Sequence, residues 1–233
     1  MKSETLQDVD WESVLATDPG IGVAIVTVDG EIVFGSQSAL AIFGVDPSHD
    51  VQAMYIRDLF HPEFVGERMD WIQRVAQSGK PLRVRHVYQG RSLISTLTPL
   101  DNPHEVPHIL VISRSASPND PQSPIDEVVS ERIDLGGLDQ LSKRELEVLV
   151  LLGHGRSVPE TARILHRSPR TIERHKEQIG RKLGTSTIAE IVKLVSGLGL
   201  TIDHTALTRY QALRPEFGVA QKSDARLSGS KDS

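Results

Sequence analysis

The hydrophobic pattern divides the chain into a first half with short, strand-like apolar runs and a second half with helical repeats. Five runs have strand character, at residues 21–28, 31–35, 81–88, 91–100 and 108–114. Asp29-Gly30 separates the first two runs, and this dipeptide accepts the positive φ angles of a tight turn. Gln89-Gly90 marks a second turn of this kind. The pattern therefore predicts an antiparallel sheet of five strands that contains two hairpins.

A longer helix is predicted between the second and third strands. Within residues 62–77, Val65, Met69, Ile72 and Ala76 are spaced by four, three and four positions, which places them on one helical face. A Gly-Lys-Pro sequence follows and is typical of a helix end. The first half therefore has the order of an α+β domain, in which one sheet packs against an interrupted layer of helices.

The second half contains four segments that each begin with a helix-capping sequence. A serine or threonine side chain can accept the amide three residues later while a glutamate there reaches back, and proline suits a first helical turn. The capping pairs are Ser142 with Glu145, Ser157 with Glu160, Ser168 with Pro169, and Thr187 with Glu190. They predict an all-α domain of four helices, in which only residues 166–167 separate the second helix from the third.

Polar segments mark the predicted boundaries. Residues 115–123 contain three serines and two prolines without apolar periodicity, which is typical of a linker. Residues 221–233 have almost no apolar side chains and are expected to be disordered. The predicted parts are an α+β domain at 12–116, a linker at 117–137, a four-helix domain at 138–200, and a C-terminal extension at 201–233, mostly disordered after about 220.

Charge separates the same two halves. The chain of 233 residues has a net charge of −5, but residues 1–137 carry 10 basic and 20 acidic side chains, whereas residues 138–200 carry 11 and 7. A local positive balance favours a partner with a phosphate backbone. The absence of cysteine excludes disulfides, thiolate metal sites and cysteine nucleophiles. No apolar run approaches the roughly 20 residues that span a bilayer, and the acidic N-terminus is unlike a signal peptide, so we expect a cytoplasmic protein.

The third predicted helix carries the residues of greatest functional interest. At about 100° per residue, Ile172, Ile179 and Leu183 share one face of this helix. The charged residues of the opposite face are Arg170, Arg174, Glu177 and Arg181. Three guanidinium groups on one outward stripe suit insertion into the DNA major groove, where arginine binds guanine edges and phosphates. In the alternative interpretation this is an ordinary solvated face, on which Glu177 pairs with Arg181.

The start of the same helix is suited to contact the DNA backbone. Arg167, Ser168 and the free amide groups of the first turn can hold a phosphate. Thr171 can add a hydroxyl contact or pack on a thymine methyl group. The full set of predicted DNA-binding residues is Arg167, Ser168, Arg170, Thr171, Arg174, Glu177 and Arg181.

The fourth predicted helix is more apolar than packing on one side requires. We assign dimerisation to four of its residues, Ile188, Ile191, Val192 and Val195. Two copies would present two reading helices one DNA turn apart, roughly 34 Å, and would favour a palindromic site. The alternative is that a tail helix near residues 203–213 covers this surface instead.

Residues 141–200 resemble the LuxR-type, or GerE-type, helix-turn-helix family of bacterial transcription regulators. The resemblance lies in LSKRELEVLVLLGHGRS, in VPETARILHRSPRTIERHKEQIGRKLG and in the amphipathic helix that follows. It implies a helix-turn-helix motif from about Val158 to Glu177, DNA-reading positions within residues 170–181, and a contribution of the fourth helix to dimerisation.

Two positions depart from that family. Glu173 stands where many members carry lysine, and Thr161 stands where a larger aliphatic residue is usual. We therefore do not predict that Glu173 contacts bases, and we expect Thr161 to affect the packing under the second helix but not the fold. His175 lies near the apolar side of the third helix and is interpreted as a packed side chain, so no metal site is proposed.

Residues 12–116 resemble a PAS sensor domain. The resemblance lies in GIGVAIVTVDGEIVFGSQSALAIFG and in LFHPEF. It implies a sensor of a small molecule, of redox state or of a partner, but no motif names a ligand and no cofactor is predicted. A haem would need an axial ligand such as His61 or His86, and we interpret both as structural. A flavin held without cysteine and an empty, dimerising fold both stay open, and we favour the empty fold.

These observations predict a sequence-specific DNA-binding transcription regulator, a homodimer in which the PAS-like module shifts the equilibrium between two arrangements. Double-stranded DNA is the expected partner, and RNA polymerase is a further candidate.

One alternative is an adaptor that uses the four-helix domain to recruit partners, and another is a partner-controlled regulator with a ligand-free PAS fold. A receiver domain is disfavoured because Asp8 and Asp10 follow no apolar strand. An enzyme is disfavoured because the sequence has no Gly-rich phosphate loop, HExxH or GxSxG motif.

Overall fold

The structure, a computed structural model, describes residues 20–100, 106–117, 120–121 and 123–218. Its strands are β1 (Ile21–Thr27), β2 (Ile32–Gly35), β3 (Leu82–Tyr88), β4 (Arg91–Leu100), β5 (His108–Ser115), β6 (Asp126–Ile133) and β7 (Thr208–Arg209). Its α-helices are α1 (Gln37–Ile42), α2 (Ile56–Leu59), α3 (Pro62–Ser78), α4 (Lys143–Gly153), α5 (Val158–Ile164), α6 (Pro169–Leu183) and α7 (Ile188–Leu198). Short 3₁₀ helices lie at Gly136–Leu138, Asp203–Ala206 and Pro215–Phe217.

The first five strands form an antiparallel sheet in the order β2-β1-β5-β4-β3. In the middle of the sheet, Leu97 of β4 lies opposite both Leu82 of β3 and Val111 of β5. Side chains from one face of the sheet share a core with α1, α2 and α3, and Ile72 of α3 is buried in it. This architecture confirms the α+β PAS-like fold that the sequence predicts for the first half.

Local sequence signals explain where these elements end. Gly30 has a φ of 88° at the β1-β2 turn, and Gln89 and Gly90 have φ angles of 47° and 74° at the β3-β4 turn. Pro62 occupies the first turn of α3, and Gly79 ends this helix in the left-handed conformation. Both hairpins and the long helix therefore form where the turn and capping chemistry places them.

The sheet has seven strands rather than the five predicted, because two later segments extend its edge. β6 lies within the predicted linker and pairs in parallel with β3, with Val84 opposite Val128. β7 pairs in parallel with β6. Ile133 of β6 is 1% exposed, so this segment contributes to the core instead of acting as a solvated connection. Its sequence, DEVVSERI, is too polar for its apolar pattern alone to indicate a strand.

Helices α4 to α7 form the predicted four-helix domain. Each begins at the predicted cap, and the serine or threonine side chain accepts an amide hydrogen bond at all four. The core of this domain continues into the sheet, because Val87 of β3 and Ile133 of β6 belong to the same cluster as Leu149 and Ile172. The helical domain therefore packs on the edge of the sheet. None of the described helices combines the length and the apolar composition that a membrane crossing requires.

The described segment after α7 does not form the tail helix that the alternative interpretation placed near residues 203–213. After the 3₁₀ helix Asp203–Ala206, residues 207–218 form a C-terminal strap that pairs in parallel with β6 through β7, runs on to the PAS-like domain and contains the 3₁₀ helix Pro215–Phe217. The Ala212 carbonyl accepts from the His61 amide (2.8 Å), and the Phe217 carbonyl accepts from the Asp46 amide (2.8 Å). An extended segment forms because its backbone groups bond to a neighbouring domain. The disorder predicted after about residue 220, and the predicted start of the first domain at residue 12, lie outside the described residues.

Candidate nucleic-acid interface and sensor cavity

Helix α6 is held with one fixed face outward. The Ser168 hydroxyl accepts from the Thr171 amide (3.2 Å) and bonds to the Thr171 hydroxyl (2.8 Å), and these contacts fix the first turn. Ile172 and Ile179 are fully buried against the other helices of the domain. Because these two side chains anchor the inner face, the opposite face is directed to solvent along the whole helix.

The outward face carries guanidinium groups that have no partner in the described part of the chain. Arg170, Arg174 and Arg181 are exposed, and none of them forms an ion pair or hydrogen bond there. Arg167 donates only to the His166 carbonyl (3.2 Å). Glu177 is also exposed, and the Glu177–Arg181 pair of the alternative interpretation does not form. The helix therefore presents cationic donors that are free to bind an external anion.

Other charged residues of α6 are paired within the domain. Lys176 contacts Glu173 (Nζ to Oε2, 3.0 Å), and Lys182 contacts Glu145 at the start of α4 (Nζ to Oε2, 2.7 Å). Burial acts to raise the pKa of Glu145, but hydrogen bonds from Lys182 and Ser142 outweigh it and lower the pKa.

The turn between α5 and α6 is compact. His166 adopts a φ of 51°, and the Arg167 amide donates to the Ala162 carbonyl (2.9 Å). Thr161 is completely buried and its hydroxyl lacks a partner, so the departure from a larger aliphatic residue leaves an unsatisfied polar atom under α5 without changing the fold. His175 is half-buried on α6, and no cluster of potential metal ligands occurs among the residues that the structure describes.

A cavity of about 130 Å³ lies in the PAS-like domain between the sheet and the helices. Aliphatic and aromatic side chains form almost all of its wall, with Phe60 and Phe64 on the helical side and Leu97 on the sheet. The polar side chains that reach the wall are Arg68, His86 and Ser95. The cavity is therefore an apolar space with one polar edge.

That polar edge is a continuous chain of hydrogen bonds. Arg68 of α3 donates to Glu67 (Nη1 to Oε2, 2.7 Å) and to His86 of β3 (Nη2 to Nδ1, 3.0 Å). Because a guanidinium only donates, His86 Nδ1 accepts, and its Nε2 donates to the Ser95 hydroxyl (2.9 Å), which bonds to the Ser113 hydroxyl (2.7 Å). Burial, followed by the nearby Arg68 charge, holds the pKa of His86 well below its usual range, so the imidazole is neutral.

The same geometry argues against haem ligation by either candidate histidine. Both ring nitrogens of His86 are engaged in hydrogen bonds. His61 directly precedes α3, its side chain makes no capping hydrogen bond, and it lies outside the cavity wall. Neither imidazole offers a free nitrogen inside the cavity.

Two sets of contacts join the cavity wall to the helical domain. On β6, the Ser130 hydroxyl lies 2.7 and 2.9 Å from the two carboxylate oxygens of Glu67, next to Arg68, and shares its one proton between them. On the C-terminal strap, Arg214 donates to the Phe60 carbonyl (Nε to O, 3.2 Å), and Phe60 lines the cavity. Both β6 and the strap connect covalently to the helical domain.

Residues 139–195 match the sequence profile of a family described as bacterial regulatory proteins, luxR family. The match contains the whole of α4, α5 and α6, with their caps and the exposed arginines. This segment is a LuxR-type helix-turn-helix domain. The helix-turn-helix motif predicted from about Val158 to Glu177 corresponds to α5, the turn at His166 and the first nine residues of α6. No curated protein matches the chain by sequence.

The chain is also similar in structure to VqmA of Vibrio cholerae, at low sequence identity. A VqmA dimer in the absence of target DNA is 18% identical, with a TM-score of 0.42, and the match covers 88% of this chain and 95% of that one. A VqmA–ligand–DNA complex is 17% identical, with a TM-score of 0.47, covering 86% and 92%. A domain of an HTR-like protein from Haloarcula marismortui is 19% identical, with a TM-score of 0.38, covering 43% and 100%. The fold assignment rests on the strand order and helices described above.

The four residues predicted for dimerisation lie on two different sides of α7. Ile191 is 2% exposed and Val195 is 1% exposed, because this side of α7 packs against α4, where Val195 meets Gly153. Ile188 is 39% exposed and Val192 is half-buried. Of the four residues, Ile188 and Val192 remain accessible at the surface.

Sequence reasoning placed all seven predicted DNA-binding residues on α6 or at its start, and it missed the polar edge of the cavity. A signal was present, because Arg68 follows Phe64 by four positions and precedes Ile72 by four, within the apolar stripe of α3. A cation in such a stripe indicates a buried pair or a binding site. The pairing of β4 beside β3, which brings Ser95 near His86, follows from the predicted Gln89-Gly90 hairpin, but the contact of Arg68 with His86 requires α3 to pack on that face of the sheet.

Proposed function

We propose that this protein is a sequence-specific DNA-binding transcription regulator that inserts α6 into the major groove. The observation that carries the proposal is the set of exposed arginines on α6 without intramolecular partners, directly opposite the buried Ile172 and Ile179. Guanidinium groups that bind neither carboxylates nor carbonyls of their own domain are available for phosphates and guanine edges. The family match supports a regulator rather than an enzyme.

The proposed contacts divide into two groups. Arg167, Ser168 and Thr171 surround the N-terminus of α6, where free amide groups also favour an anion, so they would hold the DNA backbone and set the register. The residues proposed to read base edges along the groove are Arg170, Arg174, Glu177 and Arg181.

We propose a homodimer formed partly through the outer side of α7, where Ile188 and Val192 remain accessible. Support comes from the C-terminal strap, which runs towards the PAS-like domain and leaves Ile188 exposed. A twofold pair of reading helices would select a palindromic site. Contact with RNA polymerase stays a prediction.

The PAS-like domain is proposed to control DNA binding through β6 and the strap. A ligand in the cavity would shift the equilibrium only as far as it binds one arrangement of the wall more tightly than the other, commonly about 1–3 kcal/mol. The contacts of Ser130 with Glu67 and of Arg214 with Phe60 are the points at which that difference would reach the LuxR-type domain.

DNA binding is tested with the double variant Arg174→Ala/Arg181→Ala in the full chain. Fragments selected from a random duplex library by the wild-type chain are titrated by fluorescence anisotropy at several salt concentrations. The variant should lose at least about tenfold in affinity and show a shallower salt dependence, because two guanidinium contacts are removed.

The matched control is Arg74→Ala/Lys80→Ala, which removes two charges near the C-terminal end of α3, far along the chain from α6. Arg74 makes one long contact with Asp126 (Nη2 to Oδ2, 3.7 Å). The control should bind the selected DNA within about twofold of wild type, since it removes no contact to DNA. Equal affinity of wild type and the α6 variant, with intact folding by circular dichroism, would refute the proposal and favour an adaptor role.

A further inference from the structure

We propose that Glu177 determines specificity at the candidate DNA interface, and that its carboxylate accepts a hydrogen bond from the N4 amino group of a cytosine in the major groove. The inference rests on the proposed function, because it names the base that one position of the reading face would select. Three observations support it: the charge pairing within the LuxR-type domain, the position of Glu177 on α6, and the donors that base edges offer.

The carboxylate of Glu177 differs from the other carboxylates of its domain. Residues 138–200 contain seven acidic side chains, and the structure describes all of them. Six of these carboxylates contact a cation or a backbone amide, namely those of Asp139, Glu145, Glu147, Glu160, Glu173 and Glu190. Glu177 is exposed and makes no ion pair or hydrogen bond within the described part of the chain. It is therefore the carboxylate of this domain that is free to accept from an external donor.

Glu177 lies within the cationic stripe of α6 rather than beside it. At about 100° per residue, Glu177 and the arginines at positions 170, 174 and 181 fall within about 60° of the helix circumference. Arg174 precedes Glu177 by three positions and Arg181 follows it by four, which are spacings at which opposite charges commonly pair. Neither guanidinium contacts the carboxylate among the described residues. If α6 enters the groove, Glu177 therefore enters it together with the arginines.

The chemistry of the groove restricts what an entering carboxylate can bind. An ionised carboxylate only accepts hydrogen bonds, and the phosphates on both sides of the groove repel it. Guanine presents two acceptors, thymine presents an acceptor and a methyl group, and adenine presents its amino group beside the N7 acceptor. Cytosine is the base whose major-groove edge presents a donor without an acceptor. The complementary partner of Glu177 is therefore cytosine N4.

The neighbouring arginine indicates where that cytosine lies. Arg174 and Glu177 are separated by about 4.5 Å along the helix axis, which is comparable with the spacing of about 3.4 Å between base pairs. Arginine binds the O6 and N7 atoms of guanine. We therefore expect the half-site to contain this cytosine in the same base pair as a guanine bound by Arg174, or in the adjacent base pair.

The test compares the DNA sequences that the full chain and its variants select from a random duplex library. At one position of the half-site, the wild type should prefer cytosine over each other base by about tenfold or more, measured by titration of the four single-base variants of the selected duplex. Glu177→Ala should reduce this preference to within about twofold and keep the preferences at other positions. Glu177→Gln should change the preferred base to adenine, because glutamine binds the N6 and N7 atoms of adenine.

The matched control is Glu173→Gln, which removes the same charge from the same helix. The Glu173 carboxylate is already paired with Lys176 (3.0 Å). This control should change the affinity for all four duplexes by a similar factor through weaker repulsion of phosphates, and it should keep the preference for cytosine. Circular dichroism verifies that each variant is folded.

A carboxylate that only repels phosphates would change the affinity for every sequence equally. Unchanged base preferences in both Glu177 variants, or a wild-type preference for another base at the position that they affect, would therefore overturn the inference. Sequence-selective and salt-sensitive binding by the wild type, with preferences that the Glu177 variants keep, would reject only the cytosine contact. Absence of salt-sensitive DNA binding by the wild type would reject the proposed regulator and this inference together.

Discussion

Replacing Gly153 with alanine should destabilise the LuxR-type domain, and shortening Val195 should recover part of the loss. A Cβ atom on Gly153 would lie against Val195 Cβ and Cγ2 and 2.8 Å from Val195 Cγ1. Because valine is branched at Cβ, no rotamer moves these atoms away, so α4 and α7 must separate. Overpacking of this kind costs about 1–3 kcal/mol, and the better helix propensity of alanine returns up to about 1 kcal/mol.

Gly153→Ala should therefore lower the free energy of unfolding by about 1–2 kcal/mol. Val195→Ala alone leaves a cavity beside a completely buried helix face and should cost roughly 2 kcal/mol. In the double variant the added methyl group occupies that cavity. The two effects should therefore be non-additive, and the double variant should be more stable than their sum by at least about 1 kcal/mol.

The assay is urea denaturation followed by far-UV circular dichroism, with the slope m checked for equality among variants. Gly197→Ala is the matched control, because Gly197 also lies in α7 but a Cβ there would meet nothing within 4 Å. This control should be stabilised by about 0.5–1 kcal/mol through helix propensity. Additive effects of Gly153→Ala and Val195→Ala would refute the close packing of α7 on α4 described here.

Three further predictions concern the cap of α6, the polar edge and the strap. Ser168→Ala should lower the free energy of unfolding by about 1 kcal/mol in urea denaturation, since the Thr171 amide loses its side-chain acceptor and the Thr171 hydroxyl loses its partner; an unchanged midpoint would show that the cap is not formed. Burial and the Arg68 charge depress the pKa of His86 in the folded chain. The unfolded chain therefore binds a proton at His86 more readily than the folded chain does. The stabilising contribution of the neutral imidazole is complete above about pH 6.5, and the free energy of unfolding should decrease as the pH falls below that value. His86→Gln should reduce this pH dependence, measured as the change in melting temperature from pH 8 to pH 5. An unchanged pH dependence would mean that another titratable group causes it. Arg214→Ala removes donors to the Phe60 and Arg57 carbonyls (3.2 and 3.1 Å), so limited trypsin digestion should cleave the strap after Arg209 sooner than in wild type; equal rates would contradict a docked strap.

The features of the candidate site that the sequence predicts depend on interactions between residues close together in the chain. The caps at Ser142, Ser157, Ser168 and Thr187 act over three residues, and the apolar repeat of α6 acts over one helix, so both can be recognised without knowing the fold. The outward direction of Arg170 and Arg174 follows from the inward direction of Ile172.

The features that the sequence does not predict depend on contacts between segments far apart in the chain. Periodicity shows that α7 is amphipathic, but it cannot show that the side bearing Ile191 and Val195 meets α4, because that depends on the angle at which the helices cross.

The sequence alone determined the order of the two domains, the hairpin turns, the four helix starts and the cationic face of α6, since each depends on interactions within a few residues or on one helical period. Only the tertiary structure decided that DEVVSERI joins the sheet beside β3, that residues 207–218 return to the first domain, and that Arg68 meets His86 at the edge of a cavity. The physical reason is that parallel strand pairing and the compensation of a buried charge depend on partners far away in the chain, and no local pattern of side chains specifies those partners.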